Sequence, residues 1–367
     1  MKSVYEVSVK TIGPLHIGSG EKKNKTGYIY DYGKKTAYMV DERKFLKRVI
    51  DNNLQDNFES YFIDNKSRQK DLYTWLKGVG MENFKEFSAY EISTDSLKKP
   101  KRGSLNEISM AMKDKNMDPY VPGSTLKGAI RLAIISELLH GDGVDDPSKY
   151  NFLDEYLRDR RKRDNYVTWK MKEIEDEAIG IIKEKDKEDK KDKKDINPFK
   201  YLQISDSDPI SKDKLILSQK IDVGINKSEN NISIYRESIR PGETIKFQMV
   251  LDDRFIMDIE EIKDAIRDFF SDVDYYFLQH FGLPERKGNY IYLGGGSGYV
   301  SKTLTYPIFD EDKGFEYAKR ILDRKSPGKG HRHVKFASPQ RVKMTNYNRK
   351  LLEMGLCEIS FKEVDRV

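Results

Sequence analysis

One amphipathic helix, bounded at both ends by helix-breaking residues, constrains the fold of this sequence more than any other segment. In "YVPGSTLKGAIRLAIISELLHGDG" (120–143), Pro122 and Gly123 end the preceding segment, Ser124 is a suitable N-cap and Gly141 a suitable stop. The apolar positions recur at helical spacing and predict a buried stripe of Leu126, Ile130, Ala133, Ile134 and Leu138. We therefore expect a core helix in the middle of the chain.

Around this helix, β-prone runs ended by Gly and Pro predict sheets. The first residues alternate as a strand that stops at Gly13, residues 27–40 predict a hairpin with its turn at 32–35, and a turn at 240–243 joins two later strands. Further helices are expected over 41–52, with Asp41 as N-cap, and over 259–282. This mixture, with little parallel-sheet pattern, predicts an α+β fold.

A run of alternating charge suggests where the chain divides. The segment 183–195 contains seven lysines and six acidic residues and no apolar residue, which is typical of a disordered insertion. The prediction is an N-terminal domain over 1–195, with a helical insertion at about 41–118. A C-terminal domain over 196–367 would carry a Gly-rich loop and a basic C-terminal stretch.

Positive charge is concentrated near the C-terminus. Residues 324–350 contain nine Lys or Arg and no acidic residue, while the whole chain carries a net charge of only +6. A basic stretch with nearby aromatic residues suits a polyanionic partner, although a solvated surface loop has the same composition. The residues alone leave both interpretations open.

Several classes of protein do not fit this sequence. No stretch approaches the roughly 18 apolar residues of a membrane-spanning helix, and the N-terminus lacks the apolar region of a signal peptide. The one cysteine, Cys357, excludes an intramolecular disulfide and argues against a cysteine-based zinc site. We expect a cytoplasmic protein without metal, cofactor or membrane association.

Two segments are candidate anion sites. Ser124, Lys127 and Arg131 share one face of the central helix, beside an N-terminus whose unpaired N–H groups favour phosphate; an ordinary solvated helix face is the alternative. The second segment is the Gly-rich "LGGGSGYVSKT" at 293–303, whose glycines are Gly294, Gly295, Gly296 and Gly298.

The Gly-rich segment does not have the pattern of a nucleotide-binding loop. It lacks a Gly-Lys-Ser/Thr ending, and it does not have the spacing of a dinucleotide fingerprint. Its glycines predict a loop that another backbone approaches closely. Tyr299 would be placed to stack on a base and Lys302 to meet a phosphate.

Residues typical of catalysis are few. His16 in "GPLHIGSG" and Asp31 in "IYDYG" are the nearest to lone catalytic side chains, and a structural role is favoured for each. The acidic "SDSD" at 205–208 is more typical of a turn cap than of a metal site.

Three stretches in order resemble the RAMP superfamily of CRISPR-associated proteins: "TIGPLHIGSG", "YVPGSTLKGAIR" and "LGGGSGYVSKT". "QISDSDPI" falls where that superfamily has a core strand, and the closing "SPQRVKMTNYNRKLLEMGLCEI" is similar to the C-terminal region of the fifth-subunit family of type III-A (Csm) effector complexes. The resemblance spans nearly the whole chain.

The resemblance implies ferredoxin-like (RRM-like) modules in a non-catalytic, RNA-binding subunit. Such a subunit binds the 3′-end side of CRISPR RNA, caps the filament of backbone subunits and supports RNA maturation in antiviral defence. The implied partners are CRISPR RNA, target single-stranded RNA, neighbouring backbone and small Csm subunits, and host nucleases. The residues expected to contact RNA are His16, Ser124, Lys127, Arg131, Gly294, Gly295, Gly296, Gly298, Tyr299, Lys302, Arg332 and Lys335.

Two other functions stay open. An endoribonuclease that processes precursor RNA or cleaves target RNA would use His16 or Asp31, and a protein-only adaptor would dock neighbouring subunits. Nuclease activity is not carried over, because Asp31 lies in a predicted hairpin followed by the long insertion. We further expect Lys127→Glu or Arg131→Glu to weaken RNA binding with little loss of stability, and residues 324–350 to be disordered without RNA.

Overall fold

The computed structural model describes residues 1–68, 71–98, 105–180, 197–328, 330–333, 335 and 337–366, and it confirms an α+β fold. The strands are β1 (Lys2–Thr11), β2 (Gly18–Lys23), β3 (Tyr28–Asp31), β4 (Thr36–Val40), β5 (Ser88–Ser93), β6 (Ile108–Ala111), β7 (Leu202–Ile204), β8 (Leu215–Gly224), β9 (Glu229–Ile239), β10 (Thr244–Asp252), β11 (Tyr290–Tyr292), β12 (Arg341–Tyr347), β13 (Lys350–Glu353) and β14 (Leu356–Arg366). The helices are α1 (Glu42–Asp51), α2 (Gln55–Arg68), α3 (Leu72–Gly78), α4 (Gly123–Leu139), α5 (Asp142–Asp145), α6 (Asn151–Arg158), α7 (Asp164–Ala178), α8 (Ile259–Tyr276) and α9 (Thr305–Lys325).

The first sheet has the order β11-β14-β1-β10-β7, and its neighbouring strands are antiparallel. In β1, Tyr5, Val7 and Val9 alternate with more exposed residues and are buried. They share the largest apolar cluster with residues of α4 and α8. Full burial of one such side chain contributes about 1.5–3 kcal/mol, so the alternation fixes which face of β1 meets the helices.

The second sheet has the order β2-β6-β9-β8-β5-β4-β3, with β12 paired to β8 and β13 to β12. β6 runs parallel to β9 and β5 parallel to β8, and the other neighbours are antiparallel. The chain passes from the first sheet to the second directly after β1. There Leu15 and Ile239 exchange backbone hydrogen bonds of 2.9 and 2.8 Å.

The strands do not follow the predicted division at residue 195. In the first sheet, β1 lies between β10 and β14, and in the second sheet β8 and β9 join strands from the N-terminal half. Long-range strand pairing of this kind leaves no trace in local composition, which is what suggested the division. The charged run at 183–195 lies outside the described residues.

The predicted insertion at about 41–118 is only partly helical. Its first helix is capped by Asp41 as predicted, since Asp41 Oδ1 accepts the Lys44 N–H at 3.2 Å. Helices α1 to α3 pack with β3 and β4 around an aromatic-rich cluster that includes Phe45 and Trp75. The prediction was wrong at β5 and β6, where alternating burial marks strands.

The basic C-terminal stretch is largely regular structure. α9 extends to Lys325, and β12 and β13 form paired strands, so the expectation of disorder over 324–350 was wrong for these segments. In β12, Val342 and Met344 are buried while Arg341 and Lys343 face outward. The charges belong to the outer face of an amphipathic strand.

No helix among the described residues is long and apolar enough to cross a membrane. The same residues contain no cluster of three or more His, Cys, Asp or Glu side chains arranged to hold a metal ion.

Candidate nucleic-acid interface

The loop after β1 and the Gly-rich loop after β11 lie against each other. Both strands are antiparallel to β14, so their carboxyl ends reach the same edge of the first sheet. The Gly295 N–H donates to the carbonyl oxygen of His16 at 2.8 Å. Two motifs almost 280 residues apart in sequence therefore form one surface element.

The glycines of this loop serve two different needs. A Cβ atom on Gly294, whose φ is +67°, would lie 2.2 Å from the carbonyl oxygen of His16, so this glycine is required by the neighbouring loop. Gly296 and Gly298 also have positive φ, but they border cationic side chains: their Cβ atoms would lie 3.7 Å from Arg236 Cζ and 3.4 Å from Lys343 Cγ. The outer half of the loop is thus a low backbone ridge beside positive charge.

Four cations beside the Gly-rich loop form what we call the loop patch: Lys220, Arg236, Arg341 and Lys343. They surround a single carboxylate, Asp222, whose Oδ1 lies 2.9 Å from Lys343 Nζ and 3.7 Å from Lys220 Nζ. Burial, followed by the nearby Lys343 charge, lowers the pKa of Lys220. Crowded cations with one counter-charge favour binding of an anion.

The sequence interpretation did not single out Lys220 or Arg236. Both lie in strands that pair directly, β8 and β9, and both are partly buried. In "SIYRES", the buried Tyr235 and Glu237 flank Arg236, so period-two alternation was the available indication that this arginine faces away from the core.

His16 lies beneath the loop as a buried neutral imidazole. Its Nδ1 lies 2.6 Å from the carbonyl oxygen of Glu237 and must donate to it, which leaves Nε2 unprotonated. Burial lowers the pKa of His16 to about 4. His16 therefore supports the loop and does not supply a positive charge at neutral pH.

The depressed pKa of His16 predicts a loss of stability in acid. The unfolded chain binds this proton near pH 6.5 and the folded chain only near pH 4, so the contribution is intact above pH 6.5 and falls away between those values. The full difference is about 3 kcal/mol. We expect the free energy of unfolding of His16→Gln to decline less steeply than that of the wild type from pH 6.5 to 4.5, measured by urea titration. Parallel declines would contradict this origin.

Tyr299 and Lys302 flank the loop, but each already has an internal partner. Tyr299 is half-buried against the second apolar cluster, and its hydroxyl lies 2.9 Å from Thr305 Oγ1. Lys302 is exposed and donates to the carbonyl oxygen of Gly294. Tyr299 is therefore a wall of the loop more than a free stacking platform.

The N-terminus of α4 is already occupied by an internal carboxylate. The helix begins at Gly123, and the Gly123 N–H donates to Asp206 Oδ1 at 2.8 Å, while the Val121 N–H donates to Ser207 Oγ at 2.9 Å. The predicted N-cap Ser124 makes no capping bond. The "SDSD" segment thus has the capping role that the sequence suggested, and the exposed charge of Asp206 opposes a second anion there.

Lys127 and Arg131 bind neighbouring parts of the chain. Lys127 Nζ donates to the carbonyl oxygens of Phe199 and Leu202, each at 2.7 Å, and burial lowers its pKa. Arg131 pairs with Glu175 at 2.7 Å and lies over the Phe199 ring. The α4 stripe also differs from the prediction by one position, because Leu139 is buried and Leu138 is 36 % exposed.

We predict that Lys127→Met lowers the free energy of unfolding by about 2–3 kcal/mol, because two partly buried carbonyls lose a charged donor. RNA affinity should stay within about twofold of the wild type, in contrast to the expectation from sequence. Urea denaturation and filter binding measure the two quantities, with Lys172→Met on the exposed side of α7 as control. Intact stability combined with weakened RNA binding would restore Lys127 as an RNA contact.

The remaining candidates are apart from the loop. Asp31 is buried at the end of β3, where its Oδ1 accepts the Lys34 N–H at 3.1 Å and closes the predicted hairpin turn. Four strand steps separate β3 from β9, to which His16 bonds. Lys335 is exposed, and the side chain of Arg332 lies outside the described part of the molecule.

Comparison with known proteins places these features in a family. The RAMP superfamily model matches residues 8–301. The chain is 28 % identical to the CRISPR system Cms protein Csm5 of Streptococcus thermophilus, over 99 % of this chain and 98 % of the relative. It is 26 % identical to Csm5 of Mycobacterium tuberculosis strain H37Rv, over 98 % of both chains.

Solved structures agree with this fold. A chain of the cryo-EM structure of a Csm–crRNA–target RNA ternary complex from a type III-A CRISPR-Cas system matches with a TM-score of 0.67 at 20 % identity, over 97 % of this chain and all of the other. The crystal structure of T. onnurineus Csm5 matches with a TM-score of 0.61 at 19 % identity, over 96 % and 99 % of the two chains. The chain belongs to the RAMP superfamily.

Proposed function

We propose that this chain is a non-catalytic, RNA-binding subunit of a type III-A CRISPR effector complex. One observation carries the proposal: the Gly-rich loop and the loop after β1 meet beside the loop patch, where four cations surround one carboxylate. A bare backbone ridge bordered by cations suits the sugar–phosphate backbone of single-stranded RNA.

The relatives supply the assembly. The matching Csm5 proteins and the Csm complex that contains crRNA and target RNA support CRISPR RNA, target RNA and other Csm subunits as partners. Within that assembly we place the chain at the 3′-end side of the CRISPR RNA, where it caps the backbone filament and supports RNA maturation. RRM-like modules remain part of this proposal. Host nucleases do not, because the relatives' names give them no support.

The chemistry of the two candidate catalytic side chains supports a binding role. His16 is neutral and buried, and its Nδ1 bonds a backbone carbonyl. Asp31 is held by a turn at the opposite edge of the second sheet. A general acid–base pair needs both groups within reach of one substrate bond, and this geometry does not provide that arrangement.

The test is incubation of the purified chain with end-labelled precursor CRISPR RNA, followed by native and denaturing gels. We expect a shifted complex on the native gel, weakened by added salt, and full-length RNA on the denaturing gel. Defined fragments that disappear in His16→Ala or Asp31→Ala would establish the nuclease alternative instead. Absence of any RNA complex would favour the protein-only adaptor.

A further inference from the structure

A cavity of about 830 Å³ opens on the second sheet next to the loop patch. We call it the β9 cavity: its floor is formed by β6 and β9, and its walls by the loop between β2 and β3 and by Phe62 of α2. Arg236 belongs both to this cavity and to the loop patch, since it lines the floor and lies beside Gly296. Anything that follows the Gly-rich loop past Arg236 therefore arrives at the cavity.

Arg236 is a partly buried cation without a counter-charge. Within the ranges that the structure describes, no carboxylate or carbonyl oxygen bonds its guanidinium, whereas Lys343 pairs with Asp222 and Arg286 with Glu353. Burial lowers the pKa of Arg236, and no neighbouring group offsets that effect. A buried charge that lacks a partner is costly, and an incoming phosphate would supply one.

The walls of the β9 cavity present apolar surface to solvent. Phe62 is 52 % exposed and Ile234 is 39 % exposed, and both line the cavity. The amides of Asn24 and Asn106 lie at the same opening. One aromatic face, a β-branched side chain and two amides form a surface suited to the face and edge of a nucleobase.

The charge of the cavity also favours RNA. Lys22 and Lys25 line it together with Arg236, and the one acidic lining residue, Glu107, pairs with Lys22 at 3.0 Å. Three cations against one carboxylate fit a phosphodiester better than an acidic or apolar peptide. The volume lies within the usual range of small-ligand sites.

We propose that the β9 cavity holds one unstacked nucleotide of single-stranded RNA, with Arg236 at its phosphate and Phe62 against its base. The inference rests on the proposed RNA-binding function and extends it by naming the ligand of a second site. The chain would thus hold RNA in two ways, by the backbone at the Gly-rich loop and by one base at the cavity.

The test compares two RNA probes of equal length and charge, an oligouridine and the same oligomer with abasic ribose positions. For the full chain, Phe62→Ala should raise the Kd for oligouridine about fivefold or more and leave the Kd for abasic RNA unchanged. Phe62→Trp should retain wild-type affinity. Arg236→Gln should weaken both probes and reduce the slope of log K against log salt by about 1.

The controls separate failure of this inference from failure of the function. Tyr275→Ala removes another exposed aromatic, on α8, and should change neither Kd. If the wild type binds oligouridine and Phe62→Ala binds it equally well, the cavity is not a nucleotide site although RNA binding stands. If the wild type binds neither probe, the proposed function itself fails. A loss of abasic RNA binding in Phe62→Ala would also overturn the base contact.

Discussion

Neutralising two cations of the loop patch, with Arg341→Gln and Lys343→Gln combined, is expected to raise the Kd for single-stranded RNA about 100-fold at physiological salt. Each charged hydrogen bond to phosphate contributes about 1.5–3 kcal/mol, and two of them correspond to roughly two decades of affinity. The fold should persist, because the buried residues of β12, Val342 and Met344, are unchanged and Lys220 still faces Asp222.

The measurement is a salt titration of RNA affinity by fluorescence anisotropy. The slope of log K against log salt should fall by about 2, one for each lost phosphate contact. The matched control is Lys77→Gln with Lys85→Gln, two exposed lysines that pair with Glu82 and Glu91 outside the patch. We expect a change below twofold for that control. Wild-type affinity in the patch variant would remove the patch from the interface.

The second large effect concerns the ion pair beneath the loops. Glu237 is fully buried, its Oε1 accepts from the Tyr90 hydroxyl at 2.7 Å, and its Oε2 accepts from the Ala111 N–H at 2.8 Å and from Lys113 Nζ. The same residue's carbonyl holds His16. This network therefore fixes the loop after β1, against which the Gly-rich loop rests.

We expect Lys113→Met to lower the free energy of unfolding by about 3–5 kcal/mol, because it leaves the Glu237 carboxylate buried without its counter-charge. Adding Glu237→Gln should recover part of the loss by removing that charge. Urea denaturation followed by circular dichroism measures both. Lys85→Met, at the exposed Lys85–Glu91 pair, should cost less than about 1 kcal/mol. A similarly small cost for Lys113→Met would contradict the structural role of the pair.

Local chemistry allowed several elements to be predicted from sequence. The hairpin at 27–40, the Asp41 cap and the turn at 240–243 depend on residues close together in the chain, and each is present in the structure. The strands of the 41–118 segment were missed, because β5 and β6 are short and adjoin helices. Their place in the second sheet depends on pairing with β8 and β9, far along the sequence.

The site shows the same division between local and distant information. The glycine pattern indicated a loop approached closely by another backbone, but the contact of Gly294 with His16 depends on β1 and β11 flanking β14. A helix N-terminus with Lys127 nearby indicated an anion site, but Asp206, from a strand end some 80 residues away, occupies it. Arg236 was missed because its exposure depends on neighbours in the sheet.

The central claim is that RNA lies along the Gly-rich loop and loop patch and not on the α4 face. Photocrosslinking tests it directly, with 4-thiouridine-substituted CRISPR RNA in the reconstituted complex and mass spectrometry of the crosslinked peptides. We predict crosslinks in peptides from residues 293–302, 220–236 and 341–354. Crosslinks confined to residues 123–131, at the start of α4, would contradict the account.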